Sequence, residues 1–174
     1  MSVPATQPTE EQLAAGAAIS VRRLAEANVN PATGLATDYL NHFNEAIMLL
    51  EMLSSCSDCI DDFFAWQPKS YGEHFAASRF KGRHIAIAAY NNADPAARHC
   101  LETLADTMTT VIEATRSAMR SGLPPGGAQM MAGRAAAWLK PLVARAGAVI
   151  NGETDGDTDR PAAPQAVVDG LMAG

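Results

Sequence analysis

Basic charge, cysteine, histidine and aromatic side chains are all in short supply in this 174-residue chain. Thirteen Lys and Arg face nineteen Asp and Glu, a formal net charge of −6. Binding to a phosphate backbone needs a basic footprint, so this balance argues against nucleic acid as a partner. Three cysteines, an odd number, do not make the disulfide framework of a small secreted domain. No apolar run approaches the ~18 residues of a membrane span, which argues against a membrane partner. The opening residues MSVPATQPTEEQ have neither the basic start nor the apolar stretch of a secretory leader. Together these features predict a cytoplasmic protein. The phosphate-loop, dinucleotide, nucleophile-elbow and H-E-x-x-H motifs are absent, so no enzyme class is indicated and the balance leans away from catalysis. Alternating β-branched segments are nearly absent too, which removes the signal for a sheet.

What is present is helix former. Hydrophobic residues make up 48% of the chain and charged residues 18%, enough apolar surface for a packed core. The expected fold is all-α: a helical bundle of about four long helices, with short extra helices in the 58–91 segment. Residues 1–8 read as a flexible arm and 9–150 as a single helical domain. Thr9 and Gln12 form a capping box for a helix over about Glu10–Asn28. "NVNPATG" breaks it, and a second helix is expected over about Leu35–Leu53. Shorter pieces follow at about Asp58–Trp66, Glu73–Ser78 and Gly82–Asn91, with "QPKSYGE" as a loop. Asp94 and Pro95 are a strong helix start, since the carboxylate caps and proline lacks only an orphan N–H. That helix should run to about Arg120, where "SGLPPGG" stops it. The last helix is expected over about Ala128–Ile150, with Pro141 as a kink or restart. From Asn151 the chain turns acidic and Gly/Pro-bearing, which reads as a disordered tail over 151–174. Its end, "PQAVVDGLMAG", carries apolar residues that could dock.

The scarce side chains are concentrated. Nine aromatics, from Tyr39 to Tyr90, fall in one third of the chain, and only Trp138 lies elsewhere. His42, His74 and His84 share the segment. A ligand pocket lined by Tyr39, His42, Phe43, Trp66, His74 and His84 is the functional reading. The plainer one is that short helices need large side chains to build a core.

"DYLNHFNEAIMLLEML" places Asp38, His42 and Glu45 in one narrow sector of a helix, at the edge of its apolar face. His99, Glu102, Asp106 and Glu113 form a comparable stripe later on. Carboxylates and histidines on facing helices can hold iron, manganese or zinc. Asp38, His42, Glu45, His99 and Glu102 are therefore the ligands of a metal-binding alternative, with oxidoreductase chemistry as its extension. The plainer reading is that such stripes are ordinary wet helix edges. In it, His42 is a structural residue hydrogen-bonded to a neighbouring carboxylate. Cys56 and Cys59 form a lone C-x-x-C, expected as reduced thiols without metal. Arg79, Lys81 and Arg83 read as a solvated loop. The sequence reading is thus a non-enzymatic helical bundle that binds a small ligand or a protein partner, a second copy included, with a regulatory role open. No cofactor is expected unless the metal alternative holds.

Overall fold

The computed structural model describes residues 19–55 and 60–153. Within them α1 spans Val21–Glu26 and is capped by the Ser20 side chain. A single 3-10 turn, Thr37–Leu40, leads into α2, Asn41–Ser55. Three short helices follow: α3 (Ile60–Ala65), α4 (Tyr71–Ala77) and α5 (Arg83–Asn91). Two long ones close the described chain, α6 (Pro95–Arg120) and α7 (Gly127–Ile150). The fold is all-α; the β structure among the described residues is one isolated antiparallel bridge between Val29 and Ala36.

Helix α7 packs along both α2 and α6, and these three make the body. Buried alanines make the close approach feasible: Ala46 on α2, Ala105 on α6, and Ala132, Ala135, Ala136 and Ala146 on α7. Larger side chains fill the remaining space. Leu101, Leu104, Met108, Val111 and Ile112 recur at three- and four-residue steps on α6 and are buried against this face. Helices α4 and α5 pair with each other beside the 3-10 turn, which puts the aromatic segment at one side of the body.

Helix α6 has the bounds its signals predict. The Asp94 carboxylate accepts from Ala97 N–H at 2.8 Å, and Pro95 opens the first turn. Helix α7 runs through Pro141 unbroken, with Pro141 on an exposed face. Next to it, Lys140 forms an ion pair with Glu51 of α2.

Two expectations are corrected. Helix α2 begins at Asn41 and not near Leu35, because Leu35 and Ala36 are fully buried in an extended segment. Helix α4 starts two residues earlier than expected, since Ser70 and Glu73 form a reciprocal capping box. Three helices exceed ten residues among those described, and residues 10–18 of the fourth expected long helix, about Glu10–Asn28, lie outside the described residues. Of the expected Glu10–Asn28 helix, Val21–Glu26 is helical, and Asn28 ends it with φ of 52°. The Thr9 capping box, the 1–8 arm, Cys56, Cys59 and the tail beyond 153 lie outside the described residues. Among the described residues no helix is long and apolar enough to cross a membrane.

The turn between α1 and the 3-10 turn depends on one glycine. Gly34 has φ of +74°, and a Cβ there would sit 2.9 Å from Ala93 Cα and 3.1 Å from Ala89 O. Gly34→Ala should therefore destabilise the fold by at least about 2 kcal/mol in urea titration, from left-handed backbone cost plus overpacking. Gly133, in mid-α7, has open space around it. Gly133→Ala should stabilise by about 1 kcal/mol, the ordinary helix-propensity gain. Equal effects from the two substitutions would refute the close approach at Gly34.

Candidate functional site

The aromatic segment is organised around His42 and Trp66. His42 is 3% exposed, on the first turn of α2. Its imidazole stacks on the Trp66 indole, with centroids 4.4 Å apart and planes 18° from parallel. Trp66 Nε1 donates to the His42 carbonyl at 3.2 Å. Lys69 N–H donates to His42 Nε2 at 3.0 Å. The accepting Nε2 fixes the neutral tautomer, with the proton on Nδ1. Burial pushes the His42 pKa down to about 4, and the positive fields of His74 and Lys69 act in the same direction. His74 is half-buried with its ring 6.0 Å from that of His42, and its pKa is also lowered, chiefly by burial. A hydrogen bond to the Asp38 backbone and the Asp38 and Glu45 charges oppose that shift.

A second layer of rings lies beside this pair. Tyr71 and Tyr90 stack at 4.3 Å, and Tyr39 meets Tyr71 at 5.2 Å. The three hydroxyl groups are all engaged. Tyr39 donates to the Lys69 carbonyl at 3.0 Å, and Tyr90 donates to Glu102 Oε1 at 2.6 Å. Tyr71 Oη accepts from Ala36 N–H at 3.0 Å. Burial raises all three phenol pKa values, that of Tyr39 to about 12, with Asp106 and Glu73 adding to it. None of these phenols acts as a base near neutral pH.

The rings line a recess of about 170 Å³ together with Ser70, Leu101, Glu102, Ala105 and Asp106. Helix α6 supplies the two carboxylates. Arg98 lies 3.8 Å from Glu102 and 5.8 Å from the centre of the Tyr90 ring, so it partly balances one of them. Among the described residues Asp106 has no cationic partner within 4 Å.

The expected site residues separate. Tyr39, His42, Phe43, Trp66 and His74 share one ring network. His84 stays out of it, exposed on α5. Of the metal alternative, Asp38 is half-buried and His42 buried, whereas Glu45, His99 and Glu102 are exposed. The His42 acceptor is occupied by Lys69 N–H, and Glu102 is occupied by Tyr90. Among the described residues no three His, Cys, Asp or Glu side chains converge to hold a metal ion. His42 is hydrogen-bonded to a backbone amide 27 positions away, not through Nε2 to a neighbouring carboxylate. Arg79, Lys81 and Arg83 are all exposed. Of the six residues of the pocket reading, Tyr39 alone lines this recess, and Tyr71, Tyr90 and Asp106 are among the lining residues it had not included.

A wider cleft, about 470 Å³, lies elsewhere, between the start of α6 and the end of α7. Much of its wall is alanine and valine, and several of its polar groups serve the fold. Thr33 donates to the Ile150 carbonyl at 2.6 Å, and Asp94 caps α6. The chain matches no protein family, no curated protein and no solved structure, so the geometry alone carries the functional reading.

The His42 environment gives a pH dependence. In the unfolded chain histidine titrates near 6.5, while in the fold His42 titrates at about 4. The unfolded state therefore binds the extra proton first, and His42 removes stability as pH falls from about 6.5 to about 4. A shift of this size corresponds to about 3 kcal/mol across that window. His42→Gln keeps an acceptor for Lys69 N–H but does not titrate. Its unfolding free energy should fall less steeply between pH 6.5 and 4 than that of the wild type. Parallel pH profiles would show that His42 is not held neutral.

Proposed function

We propose that the protein is a cytoplasmic, non-enzymatic binding protein whose ligand site is the tyrosine recess, and that the ligand presents a small cationic group. The observation that supports this most is the convergence of Tyr39, Tyr71 and Tyr90 with Glu102 and Asp106 on one recess. Aromatic rings attract a cation through their negative faces, and a nearby carboxylate adds a full charge. The Asp106 carboxylate supplies that charge, while Glu102 is shared with Arg98 and Tyr90. The recess is smaller than the about 300–1,000 Å³ of a drug-sized ligand pocket. It suits a head group, an ammonium on a short chain, with the rest of the ligand lying outside. The raised phenol pKa values and the engaged hydroxyls favour binding over proton transfer. The odd cysteine count and acidic balance of the sequence accord with a cytoplasmic setting.

The test is a titration with tetramethylammonium and butylammonium chlorides, followed by the amide and ring resonances of residues 39, 71, 90, 102 and 106. Both should shift this set with saturable curves, and sodium chloride at equal ionic strength should not. Asp106→Asn removes the charge at constant shape and should weaken binding by about tenfold, the equivalent of about 1.4 kcal/mol. Saturable shifts centred elsewhere, or none, would reject the reading.

A further inference from the structure

On the last turns of α6, away from the tyrosine recess, a second constellation has the opposite charge. Arg116 is 7% exposed, although it stands on the same helix as the exposed Glu113 and Arg120. Its guanidinium lies over the Phe63 ring at 5.8 Å and the Trp66 ring at 6.0 Å. One nitrogen, Nη2, donates to the Trp66 carbonyl at 2.6 Å. Its Nε is buried and has no hydrogen-bond partner among the described residues. No carboxylate of the described residues comes within 4 Å of Arg116 or Arg120. Arg120 lies over the Phe64 ring at 4.8 Å. A cleft of about 280 Å³ opens among Glu113, Arg116, Ser117 and Arg120.

A buried guanidinium is normally paired, because removal from water without a counter-charge is costly. Among the described residues Arg116 has aromatic faces and one carbonyl but no anion. Its planar fork still has N–H capacity suited to a carboxylate or phosphate. Arg120 adds a second positive charge at the same cleft, and Ser117 adds a hydroxyl donor. Glu113 sets the limit, since a carboxylate at the rim repels an incoming anion, and a dianion about twice as strongly as a monoanion. We infer that this cleft binds the carboxylate of a small organic acid, with Arg116, Arg120 and Ser117 as its donors and Phe63 and Phe64 beside it. Burial and the neighbouring Arg120 charge lower the Arg116 pKa, and the Glu113 charge opposes that shift.

The readout is the Arg116 Nε–H resonance in the full chain, titrated with sodium propionate or sodium benzoate against sodium chloride at equal ionic strength. Saturable movement with the carboxylates, absent with chloride, is expected. Arg120→Gln lies on the surface and leaves the buried ring packing of Arg116 in place; it should weaken carboxylate binding by about tenfold. Glu113→Gln should tighten it by about threefold and bring inorganic phosphate, excluded from the wild type, into range. Should the Arg116 resonance stay still, or move equally with chloride, the site does not exist. Phosphate binding to the wild type more tightly than propionate would overturn the monoanion assignment. Asp58, outside the described residues, is the carboxylate of the short segment that precedes α3 and its Phe63 and Phe64. Asp58→Asn should leave binding unchanged; a tenfold gain would identify an internal ion pair in place of a ligand site.

Discussion

The connector from Trp66 to Ser70 is the piece on which the aromatic side of this fold depends, because it is bonded to both neighbouring structures through its own backbone. Trp66 stacks on His42 and donates its indole N–H to the His42 carbonyl. The Trp66 carbonyl accepts from Arg116 on α6. Lys69 N–H is held by the His42 imidazole, and the Lys69 carbonyl holds the Tyr39 hydroxyl. Ser70 then caps α4 in a capping box with Glu73. Each bond contributes only about 1 kcal/mol net, and the two made by Trp66 also satisfy groups that burial would otherwise leave unpaired. A connector with no secondary structure is thereby given one conformation.

That conformation has consequences on both sides. Toward α4 it fixes where Tyr71 begins its helix, and Tyr71 in turn meets Tyr39 and Tyr90. Toward α6 it brings the Trp66 ring and carbonyl to Arg116. One connector therefore touches the tyrosine recess and the arginine cleft, which differ in charge and stand on the same long helix. The neutral state of His42 is part of the same arrangement. A protonated Nε2 would face the Lys69 N–H donor instead of accepting from it.

Much of the helical frame was legible in the sequence where local chemistry is strong. Asp94-Pro95 and SGLPPGG bound α6 because capping and helix breaking act over a few residues. Leu35 and Ala36 misled because their apolar character serves a buried extended segment, and burial overrides helix propensity. Ser70-x-x-Glu73 was readable as a capping box but stood in a stretch whose proline and glycine suggest a loop. The site was less legible for a physical reason. The partner of His42 is a backbone amide, and backbone groups carry no sequence signature. Glu102 lay in the expected stripe, yet its bond to Tyr90 depends on how α5 meets α6. Arg116 did leave a trace, since it falls within the apolar series Val111, Ile112 and Met119. A charge at such a position signals a buried cation or a helix edge, and only the packing of Trp66 decides between them.

The central claim, that the 66–70 connector is held through His42, is tested most directly by hydrogen exchange at the Lys69 amide. Lys69 is an exposed residue in a segment without helix, so its amide would exchange at the free rate if only secondary structure mattered. The bond to His42 Nε2 predicts protection of about a hundredfold or more at neutral pH, lost in His42→Ala while the interior amides of α6 remain protected. Free exchange at Lys69 in the wild type would contradict the account.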